Sequence, residues 1–301
     1  MNTIKTKTLA ALLVSLPLTS TSVFAGELNS FSHQVKVNDY DQGYQKTEWT
    51  LGLGSYQLND DYKFLFDVDK DFVEKSDGTS QQGWDTQFGI SHDLTTLAGF
   101  DVSLSYLIRY DASWNTKDGS DSSNAQQYII TPWLSKGVEI AEKDFALGIE
   151  LWAQVGTSNE GSLQDISGVE TNFYLDGALT DNWELNLSWY NFNYYDSEDD
   201  EYDYQIGTED YLTYSLPLNE NFTFNVESYV EAYHTIDEKS TEVYAHIAPE
   251  LKYTLKLNES VNGYAAVSYD VVKYEYFKSE GSAGTHSWKD NELEITLGAK
   301  F

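Results

Sequence analysis

The side chains that could do chemistry in this chain are five histidines, a run of acids, and many carboxylates set at every second position. Histidine moves protons well, but only beside a nucleophile, carboxylate or metal held for the purpose. His92, in Ser91-His92-Asp93, keeps step with Phe88 and Ile90, and His33 and His234 keep step with their apolar neighbours. His246 keeps step with Tyr244 and Glu250, and His286 sits in a Gly- and Ser-rich stretch. Neither a Gly-x-Ser-x-Gly elbow nor a His-Glu-x-x-His pair occurs, so nucleophilic and zinc-dependent hydrolysis lack their signatures. No reaction, cofactor or resident metal is implied.

The run Asp196-Ser197-Glu198-Asp199-Asp200-Glu201-Tyr202-Asp203 has the clustered carboxylates that hard cations want. It lacks the glycine and spacing of an EF-hand loop, and such runs are ordinarily solvated loop tips. Asp118-Gly119-Ser120-Asp121 is a shorter version of the same feature.

The third set is more informative. Asp67, Asp69, Asp85, Asp101, Glu150, Glu170, Asp176, Glu184, Glu227, Glu231, Glu242, Glu250, Asp270, Glu292 and Glu294 each occupy the polar step of an alternating segment. Lys63, Arg109, Lys252 and Lys300 share that step, and Arg109 is the only arginine in the chain. If these segments wrap around a water-filled space, the space is acidic and draws cations. The expected lining is Asp67, Asp69, Asp101, Arg109, Glu150, Glu170, Asp176, Glu227, Glu231, Glu250 and Asp270, with Tyr174, Tyr190, Tyr229, Tyr233, Tyr244 and Tyr264 placed to stack sugar rings. On a soluble sheet the same acids would form the solvated outer face.

Strands must hold these groups. Phe100, Val102, Leu104, Tyr106 and Ile108 alternate with Asp101, Ser103, Ser105, Leu107 and Arg109, and Leu293, Ile295, Leu297, Ala299 and Phe301 alternate with polar residues to the carboxyl end. Segments of this kind, one face greasy and one polar, are strands, and runs of ten or more residues suit a tilted membrane crossing. Pro132, in Ile129-Ile130-Thr131-Pro132-Trp133, and Pro249, in His246-Ile247-Ala248-Pro249-Glu250, interrupt two of them and point to bulges.

Short turn clusters recur, each followed by a large apolar residue: Tyr62, Phe100, Phe145, Trp183, Phe222 and Val261 stand 38, 45, 38, 39 and 39 positions apart. Between them lie longer polar segments, 76–83, 114–125, 157–168, 196–203, 237–240 and 278–287. The unit is strand, long loop, strand, short turn. The aromatics after the turns form one interfacial girdle, and Trp189, Tyr194 and Tyr195 belong to the opposite one.

Lys5 and Lys7, the apolar run from Leu9 to Leu18, and Val23-Phe24-Ala25 read as a secretory signal over residues 1–25. The domain is then 26–301, and its 276 residues divided by the period predict seven hairpins and about 14 strands. Losing two lysines with the signal leaves 16 basic residues against 49 acids, a charge of −33, which makes nucleic acid and anionic membrane surfaces poor partners, and no nucleic acid is expected. Forty-five aromatics argue against disorder despite that charge. There is no cysteine.

The terminal Phe301, the strand count, the acidic loops and the two proline stretches resemble the monomeric outer-membrane porin G (OmpG-type) family. The resemblance implies an all-β, transmembrane, antiparallel up-and-down β-barrel in the Gram-negative outer membrane. It also implies a monomer in contact with outer-membrane lipid and lipopolysaccharide, passing small hydrophilic solutes and cations, and possible solutes include neutral oligosaccharides. Two alternatives stand beside it. A secreted seven-bladed β-propeller that binds a ligand shares a period near forty but needs four short strands per repeat. An outer-membrane barrel enzyme needs a histidine-centred constellation that the sequence does not display.

Overall fold

The alternating segments form strands of 13 to 18 residues over most of the chain. The computed structural model describes residues 27–40, 44–74, 80–115, 123–158, 166–196, 201–257, 261–288 and 292–300. The signal segment, the Asn258-Glu259-Ser260 turn, residues 197–200 of the acidic run, the whole Asp118–Asp121 motif and Phe301 lie outside the described residues.

The strands are β1 (Glu27–Tyr40), β2 (Tyr44–Gln57), β3 (Tyr62–Glu74), β4 (Ser80–Leu97), β5 (Phe100–Asn115), β6 (Ser123–Ile140), β7 (Lys143–Ser158) and β8 (Ile166–Ala178). They continue as β9 (Trp183–Asp196), β10 (Glu201–Pro217), β11 (Phe222–Thr235), β12 (Ser240–Lys256), β13 (Asn262–Tyr269), β14 (Val272–Lys278), β15 (Thr285–Trp288) and β16 (Glu292–Lys300). Each of β1 to β12 pairs antiparallel with its sequence neighbours, and β1 closes the ring on β16 from Ser30↔Lys300 to Asn38↔Glu292. Both β13 and β14 pair with β12, while β15 pairs with β14 and β16 with β13. The sixteen segments are therefore fourteen barrel strands, the last two each broken once. A closed ring with one long strand per crossing rules out the propeller, whose blades are separate four-stranded sheets.

The two prolines act differently. Ile247 pairs with Val272 and Glu250 with Ser268, so β13 and β14 carry one extra residue opposite Ala248 and Pro249. Pro249 thus sits at a bulge, and Val271 N–H donates 2.9 Å to the Ile247 carbonyl beside it. At Pro132 the β6–β7 ladder skips Thr131 and Pro132 and resumes at Trp133 in the same register, so there is a gap without an extra residue.

The short turns explain the repeat. Asn59 Oδ1 accepts from Asp61 N–H (3.0 Å) and Tyr62 N–H (3.1 Å), and Asn219 Oδ1 from Asn221 N–H (2.9 Å) and Phe222 N–H (3.1 Å). Thr180 Oγ1 does the same for Asn182 (3.2 Å) and Trp183 (3.1 Å). A short polar side chain thus captures two backbone donors that the ladder leaves open. The other two described turns are two-residue hairpins at positive φ, Ala98-Gly99 and Ala141-Glu142. The second begins one residue ahead of the expected cluster Glu142-Lys143-Asp144, because Lys143 and Asp144 already belong to β7.

The loop end is shorter than the sequence predicts. Residues 80–83, 123–125, 157–158, 166–168, 201–203 and 285–287 are strand, and β11 turns into β12 through Ile236–Lys239 alone. Ladder pairing to the neighbouring strands captures these polar residues in spite of their composition.

Candidate functional site: the inner wall

In a closed barrel, side chains on the convex face diverge and those on the concave face converge. The parity carrying Phe88, Ile90, Tyr106, Ile108, Ile130, Leu147, Phe173, Val230, Leu251 and Val267 is exposed, whereas the other parity carries half-buried polar groups bonded to each other. The first face is the outside, and the second surrounds the interior. Tyr194 belongs inside, not to the outer girdle, since its hydroxyl donates 2.8 Å to Asp203; Tyr195 packs on Tyr202 outside. Trp189 is outward but sits mid-strand.

One wall is acidic. Register sets Asp69 of β3 opposite Asp85 of β4, and Asp85 opposite Asp111 of β5. Arg109 spans the last pair: its guanidinium donates to Asp85 Oδ2 (2.6 Å) and Oδ1 (3.3 Å) and lies 3.5 Å from Asp111 Oδ1. A two-point grip of this kind holds a planar cation in one orientation. Asp67 and Asp69 each keep one buried carboxylate oxygen with no hydrogen-bond partner.

The opposite wall is a tyrosine–carboxylate network. Glu231 accepts from Tyr190 (3.0 Å) and Tyr229 (2.9 Å), and Glu209 accepts from Tyr211 (2.8 Å) and Tyr229 (3.4 Å). Glu227 lies 3.4 Å from His246 Nε2, and the His246 ring stacks on Tyr229 at 5.0 Å. Glu250 accepts from Asn225 (2.6 Å), Glu170 from Asn172 (2.8 Å), and Glu242 from Tyr244 (2.6 Å). Phenol donors face carboxylate acceptors, so these rings are tethered rather than loosely filling space.

The remaining expected residues are scattered. Glu150 sits opposite Asn172 on the inner face, and Asp176 lies between Ala146 and Asn186 toward the turn end. Asp101 is at the turn rim, where Thr96 Oγ1 donates to it (3.1 Å), so it belongs to the mouth and not to the middle of the barrel. Asp270 falls in the break between β13 and β14, where its N–H reaches the Glu292 carbonyl at 2.9 Å. Beside it Lys273 lies 3.1 Å from Glu292.

The sequence reading missed Glu209, Asp111 and Lys273. Glu209 shares the step of Tyr211, a signal that was present; Lys273 lies beyond the bulge, where simple alternation fails. It also missed an apolar inner patch. Leu107 pairs with Ile129, which is 2% exposed, and Trp133 meets Tyr174 at 5.1 Å. Among the described residues no group of three or more side chains is arranged to hold a metal ion.

A closed barrel with an apolar belt outside and a polar, hydrogen-bonded inside is a membrane-spanning β-barrel, because only closure satisfies every backbone group in lipid. No family model and no curated relative matches the chain. Among solved structures, CdiB from Acinetobacter baumannii superposes with a TM-score of 0.50 at 9% identity, over 91% of this chain and 60% of that one. This chain thus spans about 60% of the length of CdiB. The TodX monoaromatic hydrocarbon channel gives 0.48 at 8% identity, covering 91% of each chain. An outer membrane channel from Pseudomonas putida F1 gives 0.44 at 8%, covering 92% of this chain and 96% of the other. At such identities the likeness is one of fold.

Proposed function

We propose that this protein is a passive outer-membrane diffusion channel for small hydrophilic solutes, with a preference for cations. One observation carries the reading: the described inner-face cations, apart from Lys256 at the turn end of β12, are already held. Arg109 is bound by Asp85 and Asp111, Lys63 lies 3.5 Å from Asp93, Lys273 is 3.1 Å from Glu292, and Lys252 sits 4.7 Å over the Tyr264 ring. The carboxylates outnumber them, so the wall keeps a negative surplus, and charged linings of that kind select by sign.

The tethered tyrosines of β9 to β12 supply flat faces for sugar rings, which supports neutral oligosaccharides among the solutes. The narrower likeness to the porin G family rests on the sequence pattern described above. Reversal potentials across a KCl gradient in a planar bilayer test the proposal. The parent should show cation preference, weakening from 0.01 M to 1 M salt as the Debye length falls from roughly 30 Å to about 3 Å. The combined variant Glu150→Gln, Glu227→Gln, Glu231→Gln should move the potential toward zero at low salt. Anion preference in the parent, or an unmoved potential in the variant, defeats the proposal.

A further inference from the structure

Several large side chains of the inner wall lie along it instead of projecting toward the barrel axis. Register sets Gly89 opposite Leu107, Gly148 opposite Tyr174, Gly207 opposite Tyr190 and Gly298 opposite Tyr264, all on the inward parity. In each pair the large side chain lies down across the bare backbone of the glycine. A Cβ added to Gly148 or Gly298 would fall on the ring of Tyr174 or Tyr264, and one added to Gly89 on a Leu107 methyl. One added to Gly207 would stand 2.7 Å from the Tyr190 ring and 2.7 Å from the Ala232 carbonyl oxygen. Non-bonded carbons settle about 3.5 to 4 Å apart, so each seat exists only while its residue has no side chain.

Two of these rings are also held from beyond the seat. Tyr174 meets Trp133 of β6 edge-on at 5.1 Å. Tyr190 starts from β9, passes over Gly207 of β10 and donates its hydroxyl at 3.0 Å to Glu231 of β11. Rings held flat in this way leave open the part of the lumen that they would otherwise occupy. Fourteen strands about 4.8 Å apart and tilted near 40° enclose a backbone radius of about 14 Å, and a tyrosine turned toward the axis takes up nearly half of it.

We propose that Gly148 and Gly207 set the aperture of the channel, and with it the largest hydrophilic solute that passes, by seating Tyr174 and Tyr190 against the wall. The inference rests on the channel reading and adds to it the residues that decide solute size. The same packing occurs on the lipid side, where Gly177 stands opposite Phe145. A Cβ there would meet the same two kinds of neighbour, the Phe145 ring and the Asp144 carbonyl oxygen, each at 2.7 Å. That pair covers backbone without bordering the lumen, so it separates strain in the wall from a change in aperture.

Single-channel conductance near 1 M KCl, where the Debye length of about 3 Å mutes the luminal charge, reads the aperture, and polyethylene glycols of graded size read the cut-off. Gly148→Ala and Gly207→Ala push their rings into the lumen. Combined, they should lower conductance by about 10 to 40% and exclude a smaller polymer than the parent excludes. Adding Tyr174→Ala and Tyr190→Ala should return both readouts to the parent's level or beyond it, and Gly177→Ala should leave both unchanged. If Gly148→Ala does not assemble, Gly207→Ala with and without Tyr190→Ala carries the test alone. A parent that passes no current defeats the channel reading itself. With a conducting parent, three results would overturn this inference alone: inner-glycine variants with parental conductance and cut-off, an equal loss in Gly177→Ala, or no recovery once the tyrosines are removed.

Discussion

Ile149 and Glu150 are neighbours in β7 whose side chains point to opposite sides of the wall, so one substitution at each separates the two faces. Ile149 shares its rung with Leu134 of β6 and Phe173 of β8, both outward. It lies four residues beyond Phe145, which opens the strand at the turn rim. At about 3.3 Å per residue and a tilt near 40°, that is about 10 Å into a belt about 25 Å tall, close to its midplane. Ile149→Lys should therefore cost about 2 to 4 kcal/mol, a factor of roughly 30 to 700 in the folding equilibrium. Glu150 instead faces Asn172 in the wet interior with Glu170 nearby, where a lysine meets water and opposite charge. Glu150→Lys should change stability by less than about 1 kcal/mol. Reversible urea unfolding from lipid vesicles, followed by tryptophan fluorescence, reads both numbers. Equal penalties at the two positions would refute the assignment of faces.

Four further outcomes are expected. Arg109→Gln frees Asp85 and Asp111; the reversal potential should move further toward cation selectivity, with a stability loss of no more than about 1 kcal/mol since the pair is partly exposed. Tyr174 lies across Gly148 where a Cβ would stand, so Gly148→Val should lose about 1 to 3 kcal/mol by urea unfolding, and Tyr174→Ala should recover much of it in the double variant. Asn219→Ala removes the acceptor for two turn donors and should cost about 0.5 to 1.5 kcal/mol in the same assay. Glu142→Gly relieves a positive φ of 62° in a two-residue hairpin and should stabilise by roughly 0.5 to 1 kcal/mol despite the added chain entropy.

The approximate strand number and the placing of Asp67, Glu150 and Glu231 on the opposite step from the apolar residues such as Ile149 were legible in the sequence because each depends on local rules, whereas closure pairs Ser30 with Lys300 and is decided by the ring as a whole. Alternation needs only neighbours two residues away, and turns such as Asn59–Tyr62 are made by side chains within three residues of the donors they capture. The bonding of the inner wall was not legible. The contact between Tyr190 and Glu231 joins residues 41 apart, and the grip of Arg109 on Asp85 spans 24, so both depend on the pairing register around the ring. The same holds for the break at Asp270, where one extra residue opposite Pro249 shifts the parity that carried the reading elsewhere. Asp210 shows the division most clearly: its step in the alternation is written in the chain. Only the pairing of β9, β10 and β11 reveals that Leu187 and Val230 flank it on either side, with no described residue bonded to it.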